Sequence, residues 1–126
     1  SNDASNMMYE ARQALYLQRL KYGAEKITPE VVLRWATEGS ASVLGRTDIG
    51  AIAEGMQADL AMFSLDDIRF SGSHDPLAAL ILCGAERADH VMVGGQWRVS
   101  HGQITGLDLP ALLARHRAAA SKLIAG

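Results

Sequence analysis

Apolar residues recur at helical spacing near the start of the chain. Met8, Ala11 and Leu15 stand three or four positions apart, which places their side chains on one face of a helix. We therefore predict a helix over residues 7–22 that ends at Gly23, because glycine readily takes the backbone angles found just after a helix.

A second helix has the clearest start signal in the sequence. Thr28 is a good capping residue, and Pro29 suits the first helical position, where its missing N–H costs nothing. We predict that this helix ends near Gly39 and that a short helix over residues 40–44 follows. Its predicted core-facing residues are Val32, Trp35 and Ala36.

Three short apolar runs have the length and composition of strands. They cover residues 60–63, 88–93 and 96–100. Gly94 and Gly95 separate the last two runs, and a Gly-Gly pair between strand-like runs indicates a hairpin. The turn at His101 and Gly102 should end the last of these strands.

Two further helices are predicted by a capping aspartate with a proline close behind it. Asp75 precedes Pro76, and Asp108 precedes Leu109 and Pro110. The last helix carries an apolar stripe at helical spacing. Its members are Leu109, Leu112, Leu113, His116, Ala120, Leu123 and Ile124.

Composition narrows the class of protein. A net charge of -2 with no clustered basic run argues against a nucleic-acid binder, and the apolar runs are too short to span a membrane. Cys83 is the only cysteine, so no internal disulfide can form, and a cytoplasmic protein is expected. The chain does not begin with Met, and we expect Ser1 to lie inside a longer chain.

The stretch around which the chain is organised covers residues 50–63. It begins Gly-Ala-Ile-Ala-Glu-Gly-Met-Gln-Ala-Asp-Leu and follows a helix that ends in Val43-Leu44-Gly45. This pattern resembles the C-terminal signature of amidohydrolase-superfamily deaminases, Gly-x-Ile-x-x-Gly-x-x-Ala-Asp-Leu. The segments at residues 6–23, 74–80 and 91–95 also fit, so the resemblance covers nearly the whole chain.

The resemblance implies an α/β parent, a TIM barrel with a flanking β-sandwich, of which this chain is the C-terminal portion. Residues 1–48 would be the end of the barrel domain, made of the helices after its last strand. Residues 49–106 would be the C-terminal strands of the composite β-sandwich, and residues 107–126 a C-terminal helix. The rest of the barrel would then be a partner of these residues.

The activity implied by the resemblance is hydrolytic deamination of an aromatic N-heterocycle. The most similar members act on an 8-oxoguanine-like purine or a triazine and use a hydroxide activated by zinc, with iron as the alternative metal. Their ligands include a His-x-His pair, which this sequence lacks. The histidines are His74, His90, His101 and His116, and their scattered spacing predicts no metal site and no catalytic residue in this chain.

Asn2 and Asp3 are the candidate site residues. In the deaminases that this chain resembles, Asp-Gly-Ser-Ala-Ser-Asn-Asp follows the eighth barrel strand, and its first Asp binds the metal. If Ser1-Asn2-Asp3 matches the end of that motif, these two residues lie near the substrate and orient a ligand without touching the metal. The competing interpretation is a cap for the first helix, for which Ser5 and Asn6 are also suited.

Other polar residues have structural interpretations that we favour over catalytic ones. Asp59 should be a turn carboxylate that accepts backbone N–H groups, and Asp75 a helix cap rather than a partner of His74. Cys83 has no visible base and is expected to pack as a small apolar residue.

Two hypotheses about function follow. The first is an aminohydrolase whose 126 residues here neither bind the catalytic metal nor turn over substrate. The alternative is a non-enzymatic α+β module that binds a ligand or partner. Under the first hypothesis Met8, Ala11 and Leu15 should be exposed to water, and the isolated chain should self-associate, for example as a homo-oligomer. The exact substrate, the metal and the oligomeric state stay open.

Overall fold

A computed structural model describes residues 6–125. Within this range there are five α-helices and four strands. The helices are α1 (Met7–Tyr22), α2 (Pro29–Arg34), α3 (Ser40–Val43), α4 (Pro76–Ala79) and α5 (Leu109–Ala125). The strands are β1 (Leu60–Met62), β2 (His90–Val93), β3 (Gln96–Ser100) and β4 (Gln103–Ile104). The described residues thus form a small α+β arrangement.

Helix α1 has the bounds that its sequence predicts. The Asn6 side chain caps it by accepting a hydrogen bond from the Met8 N–H at 2.9 Å. Gly23 ends it with a φ of 86°. These are local signals, so the sequence was sufficient to place both ends.

The apolar face of α1 is covered, so its predicted exposure was wrong. Ala11 and Leu15 are buried against Ile27, Val32 and Ile81, and Met8 packs against the same cluster. Ile81 reaches α1 from far along the sequence, which is why local spacing could not reveal this cover. The exposed apolar residues of α1 are others, namely Met7, Tyr16, Leu17, Leu20 and Tyr22.

Helix α2 starts as predicted, but it continues as a π-helical segment, Trp35–Gly39, before α3. The Thr28 hydroxyl accepts a hydrogen bond from the Val31 N–H at 3.3 Å. Val32 is buried, whereas Trp35 is 44% exposed and is not the core residue that its spacing predicts. A π turn inserts one residue per turn and shifts the side chains that follow around the helix axis.

The loop between α3 and β1 packs closely on the π-helical segment. Gly50 has a φ of 95°, and a Cβ there would lie 3.0 Å from the Ala41 Cβ and 3.1 Å from the Thr37 carbonyl oxygen. Only glycine allows this approach. Arg46 donates two hydrogen bonds to Asp48, at 2.8 and 2.6 Å, and the Asp48 carbonyl accepts from the Gln57 N–H at 2.7 Å.

The four strands form one antiparallel sheet in the order β1-β2-β3-β4. Leu60 pairs with Met92, and Val91 pairs with Val99, with a bulge between Val91 and Met92. The hairpin at Gly94 and Gly95 is confirmed. The short strand β4 was not predicted, because two residues are too few to give an alternating pattern.

A second apolar cluster is formed by residues from the middle of the sequence. Phe70, Ala79 and Ala85 are buried in it, and Phe63 and Cys83 pack against them. Asp75 caps α4 by accepting the Ala78 N–H at 3.0 Å, and a second π-helical segment, Leu80–Gly84, follows α4.

Helix α5 exists as predicted, and Asp108 caps it by accepting the Ala111 N–H at 3.0 Å. Its apolar stripe, however, makes little contact with the rest of the described residues. All residues from Leu109 to Ile124 are exposed. Among the described residues, no helix is both long enough and apolar enough to cross a membrane.

Candidate functional site

An apolar groove of about 700 Å³ runs between the start of α1, the first π-helical segment and β1. The loop that contains Gly50 forms one of its walls. Most of its lining is aliphatic. Prominent members are Met7, Met8, Leu33, Ile52, Leu60 and Phe63. The groove follows β1, which is an edge strand of the sheet.

Four polar residues line this groove, and three of their side chains make hydrogen bonds to backbone groups. The Asn6 side chain bonds the Met8 N–H and donates to the Glu86 carbonyl at 2.9 Å. Thr37 donates to the Leu33 carbonyl at 2.9 Å. The Asp59 carboxylate accepts the Gly94 N–H at 2.6 Å. These side chains are engaged with backbone groups and are poorly placed to act as a general acid or base, and the Asn6 bond joins two segments of the groove lining.

The Glu86 side chain, the fourth polar group, interacts with Tyr9 on α1. A hydrogen bond from Tyr9 to Glu86 raises the pKa of Tyr9, and the negative charge of Glu86 acts in the same direction. The Arg12 guanidinium lies 5.0 Å from the centre of the Tyr9 ring. Sequence reasoning missed this contact, and no pattern in the sequence links residues so far apart.

The interpretation of Asp59 as a turn carboxylate is confirmed. Its bond to Gly94 ties the start of β1 to the β2–β3 hairpin, and the Gly95 N–H also donates to the Ala58 carbonyl at 3.1 Å. Asp75 is a cap, and Cys83 is a half-buried packing residue, as the sequence predicts.

Asn2 and Asp3 lie outside the described residues, so their proposed role stays a prediction. The cap of α1 is Asn6, one of the two residues that the sequence offers for that position.

Residues 6–125 contain no group of three or more His, Cys, Asp or Glu side chains that could hold a metal ion. The donor set of this part of the chain therefore does not fit a catalytic zinc ion. Two of the four histidines are nevertheless closer together than their spacing suggests, since the rings of His90 and His101 lie 4.7 Å apart.

Comparisons with known proteins agree on one family. A model described as the amidohydrolase family matches residues 1–98. The 8-oxoguanine deaminase of Pseudomonas aeruginosa is 74% identical over 126 residues, which are 100% of this chain and 28% of that protein. The hydroxydechloroatrazine ethylaminohydrolase of a Pseudomonas species is 36% identical over 115 residues, which cover 86% of this chain and 24% of the relative.

Comparison with solved structures agrees with this family. Atrazine chlorohydrolase from Arthrobacter aurescens, complexed with zinc, matches with a TM-score of 0.80 and 35% identity, over 88% of this chain and 25% of that one. An adenosine deaminase from Xanthomonas campestris with bound zinc matches with a TM-score of 0.87 and 28% identity, over 95% of this chain and 28% of that one. The chain thus spans about a quarter of the length of these proteins.

Proposed function

The chain belongs to the amidohydrolase family, and we propose that it is the C-terminal part of a metal-dependent aminohydrolase that removes ammonia from an 8-oxoguanine-like purine. The observation that carries this proposal is the 74% identity to an 8-oxoguanine deaminase across all 126 residues. The superfamily predicted from residues 50–63 is confirmed by the family match.

We propose that residues 1–48 belong to the end of a TIM barrel and residues 49–106 to a composite β-sandwich completed by other strands. Two features of the described residues support this arrangement. β1 is an edge strand with an apolar groove beside it. β2 and β3 expose Val93 and Trp97, as expected for a sheet whose second layer comes from elsewhere.

The metal of such an enzyme is proposed to be zinc, as in the neighbouring structures. Since the described residues lack a suitable donor set, the ligands would come from outside residues 6–125. When bound, the metal would supply an activated water for attack on the ring carbon that carries the amine. In this scheme residues 6–48 would support the barrel wall, and residues 49–106 would belong to the flanking β-sandwich.

An assay of the full-length protein tests the activity. Ammonia release would be measured with 8-oxoguanine, guanine, cytosine and triazines, with metal content determined on the same sample. We expect 8-oxoguanine to give the largest kcat/KM. Faster turnover of a triazine would move the assignment to the triazine aminohydrolases, which the 36% identical relative represents. No turnover of any of these compounds by metal-loaded protein would refute the deaminase proposal and favour a binding module.

The same assay tests Asn2 and Asp3. If Asp3 orients a metal ligand, Asp3→Asn in the full-length protein should lower metal affinity or activity by about 10–100-fold. Asp66→Asn is the matched control, because Asp66 is an exposed carboxylate on a loop away from the groove. Equal activity of the two variants would rule out this role for Asp3.

A further inference from the structure

The fold brings together two histidines that neither the family resemblance nor the groove involves. His90 lies at the start of β2, and His101 lies in the turn between β3 and β4. Their ring centroids are 4.7 Å apart, with an angle of 71° between the ring planes. The ring of Trp97 packs edge-on against His90, with 5.6 Å between the ring centroids.

The backbone holds His101 in an unusual conformation. Among the described residues, it is the only residue other than glycine with a positive φ, at 49°. Left-handed backbone is uncommon for a residue with a Cβ and costs free energy, so an outlier of this kind motivates a search for function. The neighbouring Gly102 N–H donates to the Asp89 carbonyl at 2.8 Å, which fixes the turn against the start of β2.

The spacing of the two rings suits a shared metal ion. Imidazole nitrogens bind zinc at about 2.0–2.1 Å, so two rings on one ion at angles of roughly 90–110° have centroids about 4.5–5.3 Å apart. The observed separation of 4.7 Å falls in this range. The edge-to-face arrangement needs a rotation about χ2 to direct both nitrogens to one point, and that torsion is broad for histidine.

We propose that His90 and His101 form a binding site for a divalent transition-metal ion, Zn²⁺, Ni²⁺ or Cu²⁺. These are the ions that imidazole ligands suit. His90 is half-buried and His101 is exposed, so water can complete the coordination. With no third protein ligand among the described residues, binding is weaker than at a structural zinc site with four ligands.

This site does not depend on the proposed deaminase activity, and it uses none of the residues that line the groove. A bound ion would bridge β2 and the β3–β4 turn. It would therefore stabilise the sheet by an amount that rises with the logarithm of the metal concentration once that concentration exceeds the Kd, as any ligand specific for the folded state does.

Nuclear magnetic resonance of the histidine rings tests the proposal on the 126-residue chain. ZnCl₂ is added up to about 1 mM, a concentration that would reveal even weak binding. We expect the ring signals of His90 and His101 to shift together and to saturate at one equivalent of bound zinc. The signals of His74 and His116, which lie on other elements, should not follow them.

Two substitutions distinguish zinc binding at His90 and His101 from nonspecific zinc binding to surface histidines. His101→Asn removes a strong ligand while keeping a residue that tolerates left-handed backbone, and it should weaken zinc binding by about tenfold or more. His74→Ala is the matched control and should bind zinc like the parent chain. If His101→Asn fails to fold, His90→Asn provides the same test from β2.

Three results would overturn the proposal. They are an absence of ring shifts at the highest zinc concentration, parallel shifts of all four histidines, and a folded His101→Asn or His90→Asn variant that binds zinc as tightly as the parent chain.

Discussion

Two parts of the molecule bury their apolar residues to different extents. In the helical part, formed by α1, α2, α3 and the second π-helical segment, Leu15, Val32 and Ile81 are almost completely buried. In the sheet part, formed by β1–β4 and α5, none of the described side chains is buried, and Trp97 and Ile104 are largely exposed. The helical part has a closed core, whereas the sheet is held mainly by backbone pairing.

This difference shows which part of the described chain lacks an apolar core of its own. Burial of a large aliphatic side chain stabilises the folded state by roughly 1.5–3 kcal/mol, and the helical part gains this stabilisation from its own residues. The sheet part leaves comparable apolar side chains exposed to water, as is typical of a sheet face that a second layer covers. Exposure of apolar surface is therefore real, but it lies on the sheet, on α5 and on other residues of the helical part, such as Leu20 and Val43, rather than on the predicted face of α1.

Leu15→Ala tests the closed core and should have the largest effect. Leu15 is 0% exposed, so its truncation should lower the free energy of unfolding by about 2–5 kcal/mol, measured by urea denaturation. Leu20→Ala is the matched control on the same helix, because Leu20 is 87% exposed. That control should change stability by less than about 0.5 kcal/mol. Similar losses for both variants would show that the core is not closed.

Gly50→Ala tests the contact between the helical part and the segment that leads to the sheet. The new methyl group would meet Ala41 at 3.0 Å on left-handed backbone, and the expected loss is about 2–4 kcal/mol. Gly55→Ala shares the positive φ but meets no atom within 4 Å, so it should cost only about 1 kcal/mol. Thermal unfolding of the two variants side by side measures the difference, and equal losses would rule out a tight approach at Gly50.

Asp59→Ala tests how firmly the hairpin is tied to β1. The substitution removes the acceptor for the Gly94 N–H, and the expected cost is about 1–2 kcal/mol. Hydrogen exchange of the Gly94 amide should become faster, while the Leu15 amide in the helical part should keep its protection. Unchanged exchange at Gly94 would mean that the 2.6 Å hydrogen bond does not persist in solution.

Arg46 and Asp48, in the connection between the two parts, should give the smallest effect. The hydrogen bonds that Arg46 donates hold the pKa of Asp48 below its ordinary value. Asp48 therefore contributes stability above its unfolded-state pKa and loses that contribution as the pH falls through its folded-state pKa. A carbon-detected titration of the Asp48 carboxyl group should show the low pKa, and Arg46→Gln should return it toward the ordinary range. An unchanged pKa in Arg46→Gln would show that Arg46 is not its cause.

The features that the sequence predicted correctly depend on neighbouring residues. Asn6, Thr28 and Asp75 cap helices because a short polar side chain reaches a backbone N–H two or three positions ahead. The Gly94-Gly95 turn and the carboxylate role of Asp59 also follow from residue type and position. The caps and the turn need no knowledge of distant parts of the chain, whereas the residue that Asp59 bonds, Gly94, lies 35 positions away.

The features that the sequence could not predict depend on contacts made at long range. The cover of Leu15 by Ile81 and the contact of Tyr9 with Glu86 join residues far apart in the chain. The π-helical segment that begins at Trp35 has no signature in local spacing. For the candidate site, residue patterns indicated the family, while the groove and the approach of His90 to His101 required the fold.

The bond between Asn6 and Glu86 also has a consequence for synthesis on the ribosome. The Asn6 side chain that caps α1 donates to a carbonyl 80 positions later in the chain. At about 5–20 residues per second, translation needs roughly 4–16 s to cover that distance. During this interval α1 is already outside or within the exit tunnel, while Glu86, which bonds its capping residue, and Ile81, which covers part of its apolar face, do not yet exist. The newly made helix therefore passes through a period in which a chaperone can bind it, before its own chain closes over it.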